Sequence, residues 1–370
     1  MKFKVKTNDL LKSIKAVDGV ISSREIKSIL SNIKIDAHKD KIYLSSTDLE
    51  ISIKTSCVAE IIEEGSTSLP AKKLNDIIRY INFENSLLED DSESNAIKIT
   101  DADKKNIYST KINSFEGEDT KTFSSVDKKQ TINFPCFTFR EMIRKTSYSV
   151  AQEDSRFVFN GLFLTSKGKR VSFIGTDGRR LAKIDRSLPE EIPFEKGAII
   201  PHKAVKEILK MIDTSEIGKI GFFENQVYIA IGETELLCKT IDGKFPDYEQ
   251  VIPKNTTHLV KINKDKFQIA LQQAIVAAEE PTRQIKMEFN NNILMMFSSS
   301  SGTTDSDVGL NIEYNGEKVT IGFKGDYLTD VVRALDDTEF IIEFSNPNSP
   351  VIFRDPSDEE FIAIIMPMKL

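Results

Sequence analysis

The 370-residue chain carries 39% hydrophobic and 29% charged residues with 17 Gly and 12 Pro, a globular composition that excludes collagen-like and disordered classes. Its 57 Asp and Glu outnumber 50 Lys and Arg to give a net charge of −7, which taken in bulk argues against a polyanionic partner. No stretch approaches the roughly 18 apolar residues a membrane span needs. The opening Met1-Lys-Phe-Lys-Val-Lys alternates like a strand and lacks a signal-peptide core. A soluble, cytoplasmic protein is expected. Cys57, Cys136 and Cys238 lie far apart without a CxxC pair, which fits inert thiols in a reducing compartment. A chain of this length calls for two or three domains.

In chain order, segments of helical period open at about Lys6, Pro70, Cys136, Pro201, Asn263 and Lys324. Leu10, Leu11, Ile14 and Val17 share one helical face, as do Leu74, Ile77, Ile78 and Ile81. Val205, Ile208, Leu209 and Ile212 repeat the pattern, followed by Tyr327, Leu328, Val331, Val332 and Leu335. Pro70 and Pro201 stand where a helix start tolerates proline. Between the helices run segments of period two, such as Leu49, Ile51 and Ile53, or Val227, Ile229 and Ile231. The polar stretches 89–95 and 298–307 read as exposed loops.

The helical starts recur about every 60 to 66 residues, and two further markers recur at twice that interval. Thr-Asp occurs at Thr47-Asp48, Thr176-Asp177 and Thr304-Asp305. A patterned strand recurs as KNIYSTKINSF (105–115), ELLCKTIDGKF (235–245) and EFIAIIMPMKL (360–370). The expected organisation is three repeated domains, 1–127, 128–256 and 257–370, each built from two modules of one helix plus antiparallel strands. The fold class is α+β, with helices on one face of antiparallel sheets.

Charge is unevenly shared between these elements. In segment 70–82, Lys72, Lys73 and Arg79 oppose only Asp76; in 201–212, Lys203, Lys206 and Lys210 oppose only Glu207. Segments 6–24 and 137–151 are equally basic, 263–278 is slightly basic and 324–335 is neutral. The rest of the chain is strongly acidic. Solvated helix faces often carry such charge, but its recurrence on five of six equivalent helices suggests a shared basic lining for phosphates, read without regard to base sequence.

Signs of catalysis are missing from the sequence. His38, His202 and His258 form no HExxH or metal-ligand spacing, and no GxxxxGK[ST], GxGxxG or GxSxG is present. DSDVG at 305–309 fails the spacing of an EF-hand loop and reads as a solvated loop. Asp48, Asp177 and Asp305 read as turn residues. A non-enzymatic binding protein without metal or cofactor is expected. A protein-only scaffold, or an enzyme with a dispersed site, remains open on the residues alone.

The start MKFKV with DLLKSI, then STDLEISI, TDGRRLA, DGKFPDY and the terminal MPMKL together resemble the bacterial sliding clamp family, in the family's order and across the whole chain. The resemblance implies a head-to-tail homodimer forming a six-domain ring around double-stranded DNA. It implies a processivity factor that tethers the replicative polymerase, the clamp loader, other polymerases and repair factors through short peptides. The implied DNA-binding positions are Arg24, Lys72, Gln152, Glu153, Phe157, Val158, His202, Lys203 and Arg283. Lys72 and His202 stand where arginine is familiar, Glu153 where glutamine is and Val158 where tyrosine is. The implied peptide pocket comprises Phe159, Thr176, Gly178, Arg179, Arg180, Leu181, Pro246, Val251, Pro350, Ile364, Met366, Pro367, Met368, Lys369 and Leu370, with Arg179 replacing a common histidine. For Met366 and Met368, plain core packing is the competing expectation. Subunit contacts are implied at Lys105, Ile107 and Tyr108 in one copy and Ile275 and Val276 in the other.

Overall fold

The computed structural model describes residues 1–21, 29–91, 93–115, 123, 130–192, 197–212 and 217–370. The first repeat runs β1 (Lys2–Lys6), α1 (Thr7–Asp18), β2 (Asn32–His38), β3 (Lys41–Thr47), β4 (Ile51–Val58), β5 (Glu60–Glu63) and β6 (Gly65–Pro70). It continues through α2 (Ala71–Tyr80), β7 (Asn85–Asp90), β8 (Ala96–Asp101) and β9 (Ser109–Asn113). The second runs β10 (Thr131–Pro135), α3 (Cys136–Thr146), β11 (Gly161–Lys167), β12 (Arg170–Thr176) and β13 (Arg180–Ser187). After these come β14 (Ala198–Pro201), α4 (His202–Met211), β15 (Ile217–Phe223), β16 (Gln226–Ile231) and β17 (Thr234–Lys239). The third runs β18 (His258–Asn263), α5 (Lys264–Ala277), β19 (Gln284–Asn290), β20 (Ile293–Ser300), β21 (Thr304–Asn311) and β22 (Val319–Lys324). It ends with α6 (Gly325–Ala334), β23 (Glu339–Phe344), β24 (Val351–Asp355) and β25 (Asp358–Ile365).

The six helices open within one or two residues of the positions expected from periodicity. Each follows the last residue of a strand and buries the stripe that sets the period: Leu10, Ile14 and Val17 in α1, Leu74 and Ile78 in α2, Leu328, Val331 and Val332 in α6. Cys136 and Cys238 are buried and Cys57 half-buried; all three are free thiols, and burial pushes the Cys238 thiol up to about 12.

The chain separates into two compact units, and the second repeat is divided between them. Unit one comprises residues 1–137 and 203–240. Its sheets have the orders β5-β1-β7-β8-β9 and β10-β15-β16-β17-β4-β3-β2-β6. Unit two comprises residues 138–202 and 241–370. Its sheets have the orders β14-β11-β12-β13-β25-β24-β23-β18 and β21-β20-β19-β22. All pairings among the described residues are antiparallel. Each eight-stranded sheet joins two repeats through one strand pair. β17 meets β4 with Leu236 opposite Ile53, and β25 meets β13 with Ile364 opposite Leu181. Both joints place apolar residues side by side on the buried face, so a one-residue slip would expose them.

Two expectations need correction. The stretch 298–307 is not a loop: Ser298 pairs with Ser306, Ser299 with Asp305 and Ser300 with Thr304 across the β20–β21 hairpin. Consequently Thr304-Asp305 is not the counterpart of the other Thr-Asp pairs. Thr47 and Thr176 each end a strand before a turn, whereas Thr304 begins one. Asp48 Oδ1 accepts from the Glu50 and Ile51 amides, and Asp177 Oδ1 from the Arg179 and Arg180 amides. Those two are turn residues as expected; Asp305 lies in a strand. The stretch 89–95 begins inside β7.

Candidate functional site

An open groove in unit two is lined by residues from four separate stretches. The Thr176 turn and the start of β13 give Thr176, Gly178, Arg180 and Leu181. The segment after β17 gives Pro246, Asp247, Tyr248 and Val251. Ile364 and Met366 come from the end of β25, and Phe159 from the turn before β11. The lining is mostly apolar, and its floor is continuous with a core cluster containing Leu181, Phe245, Ile352 and Ile364.

The turn is held by its own side chains. Thr176 Oγ1 donates to the Arg180 carbonyl (2.6 Å) and accepts from the Gly178 amide (3.0 Å). Gly178 has φ +82°, and a Cβ there would sit 3.0 Å from the Arg156 guanidinium and 3.3 Å from the Phe159 ring. Arg180 donates to Asp177 Oδ2 (3.0 Å) and Asp330 Oδ2 (2.6 Å), with its guanidinium 4.3 Å from the Tyr327 ring centroid. At the other end Arg156 lies 4.3 Å over Phe159 and donates to Asp154, whose carboxyl it pulls down to about 2. Tyr248 begins a short 3-10 turn, Tyr248–Val251, capped by the Asp247 carboxylate. Burial, reinforced by the neighbouring Glu249, pushes its phenol up. The site is an apolar trough with polar ends, suited to holding apolar side chains of an extended segment.

Nine of the fifteen pocket positions taken from the family line this groove: Phe159, Thr176, Gly178, Arg180, Leu181, Pro246, Val251, Ile364 and Met366. Arg179 is exposed beside it and accepts from the Met366 amide through its carbonyl. Pro350 precedes Val351, which pairs with Ile365. The chain leaves the groove after Met366, and Pro367 is not part of the lining. The Met368 amide donates to the Gly322 carbonyl (2.8 Å), and Gln284 Nε2 donates to the Lys369 carbonyl (3.0 Å). Met368 and Leu370 therefore lie against Gly322 of β22 and Lys369 is held by Gln284 of β19, all outside the lining. Met366 is exposed at the groove, so core packing does not account for it. Asp247 and Tyr248 were missed, although both belong to the DGKFPDY motif; Arg156 was missed as well.

The positions that the resemblance implies for DNA contact fall into different states. Arg24 lies outside the described residues. Lys72 is exposed without an ion pair among the described residues, and Gln152, Glu153 and Phe157 are exposed. Val158 is half-buried against the core beneath the groove, and His202 is half-buried with its amide donating to Asn160. Lys203 pairs with Asp48, and Arg283 with Glu280 and Asp326. At the subunit-contact positions, Ile107 is fully exposed and Val276 is 86% exposed. Tyr108 meets Phe83 edge-on, and Asp101 accepts from the Lys105 amide. Ile275 packs on Gly325. No helix among the described residues is long and apolar enough to cross a membrane.

Comparison with known proteins decides the family. Models of the DNA polymerase III beta subunit match residues 1–118 (N-terminal domain), 133–247 (central domain) and 249–369 (C-terminal domain). The chain belongs to the DNA polymerase III beta subunit family. It is accordingly a sliding clamp, a DNA-binding processivity factor of replication and an accessory subunit rather than a polymerase. It is 27% identical to the beta sliding clamp of Haemophilus influenzae and 28% identical to that of Pseudomonas aeruginosa, covering 100% of each chain. The sliding clamp crystal structure from Pseudomonas aeruginosa aligns over 100% of both chains at TM-score 0.92 and 24% identity. One from Caulobacter crescentus aligns over 100% of both at 0.90 and 25%.

Proposed function

We propose that two copies of the chain join head to tail into a ring closed around duplex DNA, which slides through it without sequence preference. The observation that carries this reading is the rule by which repeats join. The last strand of the second repeat, β17, pairs with β4 of the first, and the last strand of the third, β25, pairs with β13 of the second. By the same rule the last strand of the first repeat, β9, would pair with β21 of the third. Among the described residues of one chain both are open sheet edges. Unpaired edges are templates for another chain, and two such heterologous joints close a dimeric ring. Ile107 just before β9, next to Tyr108 and two residues after Lys105, and Val276 at the end of α5, beside Ile275, supply apolar surface for that joint.

The groove, in this reading, receives short peptides with leucine or phenylalanine anchors from the polymerase catalytic subunit, the clamp loader, other polymerases and repair factors. Burying one anchor contributes about 1.5–3 kcal/mol, and one groove per copy makes these proteins compete. The working location is the cytoplasm, and the domain limits are 1–127, 128–256 and 257–370. The test is retention on nicked circular DNA, lost when the circle is linearised, by a species of twice the 41.7 kDa chain mass. A stable single-chain species that circles do not retain would refute it.

A further inference from the structure

The chain leaves the last strand of each repeat in the same way. The Phe115 amide, two residues past β9, donates to the Ser68 carbonyl (3.0 Å), and the Ile241 amide, two residues past β17, donates to the Ile199 carbonyl (2.9 Å). Ser68 in β6 and Ile199 in β14 each stand two residues before the end of the strand that leads into the repeat's second helix. Gly322 is the corresponding residue of β22, and its carbonyl accepts as well, but from Met368 (2.8 Å). Two residues past β25 stands Pro367, which has no amide hydrogen, so the bond slips one residue along.

The slip bears on the groove. Met366 is held from behind by its amide on the Arg179 carbonyl (2.8 Å), and from ahead only through Pro367 and the displaced bond. A side chain secures the displaced end: Gln284 Nε2 at the start of β19 donates to the Lys369 carbonyl (3.0 Å). Leu370 lies over Gly322, where a Cβ would come within 2.9 Å of Leu370 Cδ2 and of the Met368 carbonyl oxygen, and 3.2 Å from Gln284 Nε2. A residue without a side chain lets the segment sit this close to β22. Met366 is 38% exposed where it lines the groove. Packing therefore directs its unbranched side chain only in part, and the backbone on either side supplies the rest.

We infer that Gln284 and Gly322 are positioning residues for the groove: they pin segment 367–370 to β19 and β22 and so fix where Met366 presents its side chain to a bound peptide. Neither lines the groove; both act through Met366. This rests on the peptide-binding reading of the groove above.

The experiment titrates the full chain and its variants against a short labelled peptide carrying leucine and phenylalanine. Amide hydrogen exchange at Met368 and the NMR signal of a labelled Met366 methyl are read on the same samples. Gln284→Ala should speed exchange at Met368, shift the Met366 methyl signal and weaken the peptide by about two- to tenfold, the range of one net hydrogen bond. Gln284→Lys keeps a donor for the Lys369 carbonyl and should restore most of that affinity. Gly322→Ala, whose added Cβ displaces the segment, should act in the same direction as Gln284→Ala. In a Met366→Ala background Gln284→Ala should have no further effect, because residues that act through one another are not additive. Parent affinity in Gln284→Ala, unchanged Met368 exchange, or a loss that persists in full in the Met366→Ala background overturns the inference. Failure of the unaltered protein to bind the peptide would instead refute the groove reading, while the response of the Met366 methyl to Gln284→Ala would still report the positioning.

Discussion

The ring of Phe163 stacks on that of Phe245, with centroids 4.5 Å apart and planes within 7° of parallel. Both belong to the layer that supports Leu181 and Ile364, whose other sides face the groove. The groove is thus the outer skin of a hydrophobic core. Phe245→Ala should cost about 3–5 kcal/mol of unit-two stability through the cavity it leaves, and peptide affinity should fall with it. Denaturant titration read beside peptide binding checks this: a variant of unchanged stability that no longer binds would uncouple groove from core.

Met366 gives the opposite pattern. It is exposed at the groove and its amide is held by Arg179, so its side chain contributes little to folding. Met366→Ala should weaken an apolar peptide about 5- to 50-fold, the range of one lost anchor contact, with the melting temperature unchanged. Removing 368–370, which lie against β22 and β19, should cost less affinity than Met366→Ala. Fluorescence anisotropy with a labelled peptide separates the two, and a larger loss from the truncation would move the groove wall toward the terminus.

A buried ionic network ties α3 to the strands of unit two. Lys145 is fully buried and reaches Asp358 (2.7 Å), Asp336 (2.9 Å), Asp355 (3.7 Å) and Glu141 (3.8 Å); Arg186 donates to Glu141 and Asp358. Burial alone would raise the Asp358 carboxyl, but Arg186 and Lys145 hold it below its usual value; Asp355 is likewise lowered against burial. Carboxylates lowered in the fold stabilise it fully above their unfolded pKa of about 3.9. They lose that contribution as pH falls from there through the lower folded values. Stability should therefore drop steeply below about pH 4, and Asp358→Asn should make that drop shallower. Lys145→Ala should cost about 3–5 kcal/mol at neutral pH by stranding buried carboxylates. Thermal melts across pH 3 to 7 decide; a parallel curve for Asp358→Asn would remove this carboxylate from the acid transition.

The helices were legible because each buries a stripe whose spacing survives in the sequence, from Leu10, Ile14 and Val17 to Leu328, Val331 and Val332. The β20–β21 hairpin was not, because its tip carries Ser and Asp on both faces and hides the alternation of a strand. Thr176, Gly178, Arg180, Leu181 and Pro246 line one groove because the Thr176 turn and DGKFPDY are local structures. What sequence could not give is pairing at a distance. Lys203 and Asp48 stand 155 residues apart, and nothing in either segment announces that one charge cancels the other.

The joint proposed between copies yields the last prediction. The two internal joints bury apolar pairs such as Leu236 opposite Ile53 and Leu181 opposite Ile364. The free edges instead leave Ile107 and Val276 in water, and solvent-facing apolar side chains beside unpaired strands are the feature such a joint would cover. Ile107→Asp or Val276→Asp places a charge where desolvation would be needed, without disturbing a residue that either unit buries. Each substitution should raise the dimer dissociation constant by about two orders of magnitude or more, the scale of losing one anchor and burying an unpaired charge. Melting of the separate chains should stay within about 0.5 kcal/mol of the parent, as for other surface changes. Sedimentation velocity across a dilution series reads the effect, and circle retention should fail at the concentrations where the dimer does. Two variants that remain dimeric at the parent's concentration would place the joint elsewhere and detach β9 and β21 from it.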